Sequence, residues 1–350
     1  MKMLQFFMIT IILSLVMVSA CVSEAPQPHK GTPAPQVPAM TTVKVAYLPL
    51  ISNAPLFIAK EEGYFAKLGL NVEFEKFQSG AATLPALING DIAVSGGALS
   101  PGLYNAIAKG AHVRIVADKG RIMPGYCNST AFLVRRDLIE SGAVKTVADL
   151  KGRKVAAASD QSYGVFRALA VGNLTSGDVE ILDMTNAASV VAFENGAIDA
   201  NLLMEPYITQ ALNRGNTVVL LPGQDFIPNF PAPLFYGPVF LDKDPDLGRR
   251  FMVAYLEGVK QYNLGKTERN LEILQKYTQI DPALLNQSCW PQIAPDGLVL
   301  RQPVMEHMDW LHANKQITQK LDEDQLFDMS FVNYANGVLA NTTQSGYSMK

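Results

Sequence analysis

From Thr42 to Leu50 ("TVKVAYLPL") polar and apolar positions alternate and then run together, which predicts a strand entering a buried sheet. The loop "ISNAP" follows, with Asn53 placed to cap a helix and Pro55 suited to its first turn. Phe57, Tyr64, Phe65 and Leu68 fall on one helical face before Gly69 ends it. "LNVEFEKF" (70–77) is the next strand, and "SGAATLPALING" the next loop and helix. The alternation continues through strands at 113–118 and 131–137. It restarts at 151–159, with a helix from about Tyr163, a strand at 179–184, another helix, and a strand at 217–221. Strand–helix alternation of this kind argues for α/β lobes, each a mostly parallel sheet flanked by helices. From Asp246 to about Asn336 only helical periods remain, such as Phe251, Ala254, Tyr255, Gly258 and Tyr262, with Asp281-Pro282 reading as N-cap and N1. A helical block without strands needs an existing surface to cover, and the first lobe is the expected one.

One device occurs twice. "ALINGDIA" (86–93) and "AFENGAID" (192–199) each end a helix at Asn-Gly, where glycine admits a left-handed turn, and then make a short apolar run into a loop. The loops differ: "VSGGALSPG" after the first, "ANLLMEPY" after the second.

The ends of the chain add a location. Lys2 precedes an apolar run from Phe6 to Val18, the length of a signal peptide core and short for a membrane span. It ends in "VSAC", which resembles a lipobox with Cys21 as the acylated residue; the other reading is an uncleaved anchor. Both put the remainder outside the cytoplasm. Residues 22–42 carry Pro26, Pro28, Pro33, Pro35 and Pro38 with few large apolar side chains, and read as a tether. The polar stretch 336–350 reads as a disordered tail. With Cys21 assigned to lipid, Cys127 and Cys289 are either a disulfide or two buried thiols. A formal net charge of −3 offers no case for nucleic acid.

The stretches "AYLPLISNAPLFIAKEEGYFAKLGLNVEF", "ALINGDIAVSGGALSPGLYNAIAKGAHVRIVADKG", "DLKGRKVAA" and "ENGAIDANLLMEPY" resemble, in order and spacing, the substrate-binding proteins of ABC importers for nitrate, sulfonates, taurine and the thiamine pyrimidine precursor. The resemblance implies a two-lobed periplasmic-binding-protein (venus-flytrap) fold. Lobe one would comprise 43–130 and 233–335 and lobe two 131–232, with crossings near Phe132 and Phe235. It further implies a monomer that closes on a small solute and delivers it to a permease and its ATPase. The solute would be small, organic or an oxoanion, of the sulfonate, nitrate or taurine kind, or alternatively an aminopyrimidine or similar heterocycle. No cofactor or metal is implied.

In such sheets ligands sit beyond the carboxyl ends of strands, so loops after strands supply the candidates. In lobe one these are Ser52, Asn53, Ser79, Gly80, Ser95, Gly96 and Ser100. In lobe two they are Ser159, Gln161, Ser162, Tyr163, Thr185, Asn186 and Glu205, with Tyr236 at the second crossing. Small hydroxyl and glycine residues at helix N-termini suit an anion, and they equally suit plain capping. Glu205 is either a partner for a ligand amine or a structural acceptor. Tyr126, Tyr163, Phe166, Tyr207 and Tyr236 are candidate ring-stacking residues. Lys119 and Arg121 in "ADKGR" could serve an anion, but are expected rather on the solvated surface or in local ion pairs.

An enzyme of the pyrimidine-synthase type is the main rival, and the histidines argue against it. His29 lies in the tether, His112 at a strand start, and His307 and His312 on a late helix; none is in a cleft loop. No Cys/His cluster with metal-ligand spacing and no phosphate-cradling glycine loop is present. A ligand sensor built on the same clamp is a third class.

Overall fold

The computed structural model describes residues 40–158 and 161–344. Cys21, the signal and most of the tether segment, and Ser159 lie outside the described residues. Among the described residues ten strands form two five-stranded sheets. The first contains β1 (Thr41–Tyr47), β2 (Leu70–Lys76), β3 (Val94–Ser95), β4 (Arg114–Arg121) and β10 (Pro231–Tyr236) in the order β2-β1-β3-β10-β4. The second contains β5 (Thr130–Arg135), β6 (Lys154–Ala157), β7 (Glu180–Asp183), β8 (Ala200–Met204) and β9 (Thr217–Pro222) in the order β7-β6-β8-β5-β9. Each sheet has a parallel trio and one strand antiparallel to its neighbours, β10 in the first and β5 in the second. The antiparallel strand is in each case the one that has just arrived from the other sheet.

The doubled device supplies the third strand of each sheet. After the first helix Gly90 takes φ 79°, and the Asp91 amide donates to Ala86. After the second Gly196 takes φ 70°, and the Ala197 amide donates to Ala192. Ile92 and Ile198 then go fully into the core, and the short strands pair with β1 and β6 in parallel. Two positive-φ glycines in matching places thus aim two loops the same way.

Helices cover both faces of the second sheet. Along β5, Phe132 and Val134 enter one core of the second sheet while Ala131 and Leu133 enter the other. Helix Ser162–Val171 covers the first of these cores; Asn186–Glu194 and Tyr207–Asn213 cover the second. Strands with helices on both faces read as continuous apolar runs, as "AFLV" does.

The chain crosses between sheets at 122–129 and 223–230. Phe132 and Phe235, where the crossings were expected, sit inside β5 and β10. The crossings run beside each other: the Asn229 amide donates to Ile122 at 2.7 Å, and the Ile122 amide to Phe230 at 3.2 Å.

The late helical block packs on the first half. Helix Pro245–Tyr262 lies so close to Ala54–Glu61 that a Cβ on Gly258 would stand 2.3 Å from the Pro55 carbonyl oxygen. The same block also reaches the second half, through an Asn213 amide donating to Gln287 and through a Cys127–Cys289 disulfide that ties the first crossing to the segment after helix Pro282–Gln287.

Two boundaries differ from the sequence expectation. β1 begins at Thr41, inside the expected tether. Residues 336–344, expected as disordered tail, continue the helix Ser330–Gln344. Phe331, Val332 and Ala335 are buried and Val338 and Leu339 pack on the same core, an apolar stripe that the Asn- and Thr-rich composition conceals.

Candidate functional site

Between the two sheets' carboxyl ends lies a cavity of about 1000 Å³, counting the space open to solvent at its mouth. β1 ends at the turn Ile51–Asn53, which brings Ser52 to the wall. Helix Gly80–Asn89 presents its first residue, Gly80, and the loop after β3 presents Gly96, Gly97, Ala98 and Leu99. β4 ends at Arg121, and two side chains on one of its faces, Lys119 and Arg121, line the cavity.

Lys119 is the centre of this wall. Its side chain is only 2 % exposed, and Nζ donates to Ser52 Oγ at 3.0 Å. Among the described residues no carboxylate lies within ion-pair distance of it. Its neighbour Asp118 is committed elsewhere, accepting from the amides of Gly120 at 3.1 Å and Ala294 at 2.8 Å. Burial lowers Lys119 to about 8, with Asp118 opposing the fall. Burial likewise raises Asp118, and its amide donors hold it down in part. Arg121 is 18 % exposed and has its Nε 4.0 Å from Asp118 Oδ2; that Nε has no hydrogen-bond partner among the described residues. A buried ammonium with one neutral acceptor and no counter-ion is costly unless an anion joins it.

Gly96 makes room for that lysine. A Cβ there would stand 2.4 Å from Asn53 Oδ1 and 3.0 Å from both Cδ and Cε of Lys119. The second glycine of "SGG" is less tightly constrained, with Ser95 Oγ at 3.0 Å and Thr83 Oγ1 at 3.2 Å.

The second half contributes Thr130 from the start of β5, with Ser129 just before it at the end of the first crossing, Gln161 and Tyr163 from the start of a helix, and Glu205 after β8. Gln161 Oε1 is buried without a partner among the described residues. Glu205 is held by the fold: Oε1 accepts from Thr209 Oγ1 at 2.8 Å and from the Cys289 amide at 3.0 Å, and Oε2 from the Thr209 amide at 3.1 Å. Burial raises its pKa, and these donors pull it back. It caps its own helix and ties the second half to the late helical block. The remaining wall is mostly carbon, from residues such as Leu50, Leu99, Leu202, Met204, Ile227 and Phe230.

Of the residues expected from sequence, Ser52, Gly80, Gly96, Gln161, Tyr163 and Glu205 come together on this cavity. The others do not. Asn53 is buried beneath it, its amide donating back to the Leu48 carbonyl instead of capping the helix. Ser79 and Thr185 cap helices, accepting from Ala82 and Ala188. Ser100 caps the helix that begins at Pro101, and Ser95 shares a 2.7 Å hydrogen bond with Thr83; both face a smaller side pocket. Ser162 and Asn186 do not reach the wall. Tyr236 points the opposite way, into the core with Phe240, Phe251 and Phe331, and donates to the Gly248 carbonyl at 3.0 Å.

Lys119 departs from the sequence expectation of a solvated or locally ion-paired cation, since it is buried on the cavity wall, whereas Arg121 keeps a long local ion pair with Asp118 at 4.0 Å and lines the same wall. The signal was present: "VRIVADKGR" sets both cations at the carboxyl end of an apolar strand, where ligands of such sheets bind. No group of three or more His, Cys, Asp or Glu that could hold a metal occurs among the described residues.

A family model described as the NMT1-like family matches residues 36–275. A putative aliphatic sulfonates-binding protein of Bacillus subtilis (strain 168) is 26% identical over 298 residues, 81% of this chain and 85% of that protein. The crystal structure of the periplasmic aliphatic sulphonate binding protein SsuA from Escherichia coli superposes with a TM-score of 0.66 at 22% identity, covering 82% of this chain and 92% of that one. The desulfurization enzyme DSZB has the same fold, with a TM-score of 0.63 at 15% identity over 85% of this chain and 99% of that one.

Proposed function

The chain belongs to the NMT1-like family, and from that premise we propose that it is the extracytoplasmic substrate-binding component of an ABC importer. Its solute is a small organic monoanion with an apolar body, of the sulfonate or carboxylate kind. The observation that carries this reading is Lys119: a buried ammonium, bonded to one serine, at the end of a cavity whose other walls are mostly carbon. Lys119 and Ser52 take the anionic head, with Arg121 beside them, and the leucine, methionine and phenylalanine side chains take the body.

Three ligand classes separate on this geometry. Nitrate would leave the carbon walls unused. A zwitterion such as taurine needs a carboxylate for its ammonium, and the fold already takes three of the roughly four acceptor positions of Glu205. An aminopyrimidine needs no buried cation and would leave Lys119 uncompensated. The fold itself does not decide between binding and catalysis, since DSZB is an enzyme. The binding reading is supported by the cavity wall, where no Cys or His lies among the described lining residues.

In this reading Cys21 carries a lipid, residues 22–42 tether the folded part to the outer face of the membrane, and the two halves close on the solute before a permease and its ATPase accept it. The protein works as a monomer.

The test is a thermal-shift screen of benzenesulfonate, hexanesulfonate, hexanoate, taurine, nitrate and an aminopyrimidine, followed by calorimetry. The apolar monoanions stabilise the protein most. Preferential stabilisation by taurine, nitrate or the aminopyrimidine overturns the ligand class.

A further inference from the structure

The helix Arg301–Ala313 of the late block lays two rings against the second half. Its His307 stands 4.3 Å from Tyr163 and its Trp310 5.1 Å from the same ring, centroid to centroid; Trp310 also meets Phe166 at 5.7 Å. Phe230, from the second crossing, closes the group edge-on to His307 at 5.3 Å. Trp310 and Phe230 touch the cores of both halves, so this cluster is a seam between them. Tyr163 and Phe230 are also walls of the anion cavity. Behind His307, Tyr104 on the helix Pro101–Ala108 shares a 3.0 Å hydrogen bond with Nδ1, and the Tyr104 hydroxyl is in turn 3.4 Å from the Val304 carbonyl it donates to. His307 is 1 % exposed, and its Nε2 has no partner among the described residues.

We infer that His307 is a positioning residue that holds Tyr163 against the cavity while the halves are together, and that its protonation on acidification parts the seam and releases the solute. This rests on the proposed closure of the two halves around an anion. Within the seam an imidazolium has no stabilising partner. From its own helix the charged neighbour is Glu306, which acts on Tyr163. From Pro101–Ala108 the facing group is the Tyr104 phenol. From Ser162–Val171 they are the Tyr163 phenol and Arg167, whose guanidinium lies over the outer face of that ring at 5.9 Å. Phe230 brings no charge. No carboxylate lies within ion-pair distance of His307 among the described residues.

Burial lowers the imidazole from its ordinary 6.5 to about 3. A His whose closed-state pKa is depressed favours, at acid pH, any state that exposes it. Between pH 7.5 and 5.5 the open state gains about tenfold in weight relative to the closed one, and ligand affinity falls about tenfold.

The experiment needs no ligand. In the full folded protein with Trp290→Phe, Trp310 reports the seam by fluorescence, and small-angle scattering reports the separation of the halves. On passing from pH 7.5 to 5.5 the Trp310 emission shifts to the red and the radius of gyration rises, while far-ultraviolet circular dichroism is unchanged. His307→Gln and His307→Phe, each checked by circular dichroism, abolish the transition. Benzenesulfonate affinity in the wild-type protein falls about tenfold over the same interval. Absence of the transition in the ligand-free protein, or its persistence in either folded variant, overturns the inference. Failure of the anion-binding proposal shows itself separately, as absence of benzenesulfonate binding at every pH.

Discussion

Lys119 is tolerated because its surroundings are shaped around it. The stem passes over a glycine, the ammonium meets Ser52, and the nearest carboxylate is held by backbone amides on another side. Gly96→Ala therefore places a methyl group into Asn53 and the lysine stem. It costs about 1–3 kcal/mol of stability, as overpacking does, and weakens anion binding because the ammonium moves. Denaturant melts and calorimetry on the same variant check both effects. Glu205 tests the opposite assignment. Its three donors come from the fold, so Glu205→Gln leaves one acceptor where two oxygens served, at about 1–3 kcal/mol of stability. Affinity for an organic monoanion does not fall. A variant with unchanged melting and lost affinity would return Glu205 to the ligand. The sequence pointed to Ser52, Gly96 and Glu205 because loop position after a strand is visible in the hydrophobic pattern. It could not separate cap from contact: Ser79, Thr185 and Ser100 have the same residue chemistry as Ser52, and only orientation distinguishes them.

Among elements, the short strands after the Asn-Gly turns were the most legible, since a positive-φ glycine and a buried isoleucine leave little choice of path. The last helix was the least legible. Its apolar stripe at Phe331, Val332, Ala335, Val338 and Leu339 is diluted by asparagine and threonine, and burial against existing helices, which propensity does not encode, stabilises it. The segment after helix Pro282–Gln287 is a strap whose importance no local pattern announces. Cys289 is bonded to Cys127 on the first crossing, and its amide donates to Glu205. Pro291 lines the cavity and accepts at its carbonyl from the Tyr262 hydroxyl at 2.8 Å. The disulfide spans 162 residues of chain. Replacing both cysteines by serine removes about 2–5 kcal/mol of stability, the usual range for a native cross-link over a long loop. Thermal melts of the variant and of the wild-type protein in dithiothreitol should fall together. Unequal melting would mean that the serine pair perturbs more than the bond.

At the scale of the whole molecule, one strand order built twice sets two rims facing one cavity, and they are equipped unequally. The first rim brings the cations, and the second a carboxylate that the fold has already consumed. The repeat was readable in sequence; the asymmetry of charge was not, because Lys119 reads as a surface residue until β4 is known to be buried on both sides. The buried lysine gives the molecule a distinctive pH signature. Unfolded, the amine keeps its proton up to its ordinary 10.5; folded, it loses it at about 8. Between those values the unfolded state binds more protons, so this group's contribution makes the ligand-free protein more stable as pH rises. Anion binding needs the charged form and weakens over the same interval. Opposite slopes for stability and affinity above pH 8 are expected in the wild-type protein, and both are absent when the lysine is removed.

The most direct measurement is therefore calorimetric titration of benzenesulfonate into the wild-type protein and a folded Lys119→Met variant from pH 7 to 9.5. Binding weakens above about pH 8 in the wild type and falls about 30-fold or more at pH 7 in the variant, as when one partner of a buried charge pair is removed. Undiminished affinity in Lys119→Met would remove the lysine from the anion site.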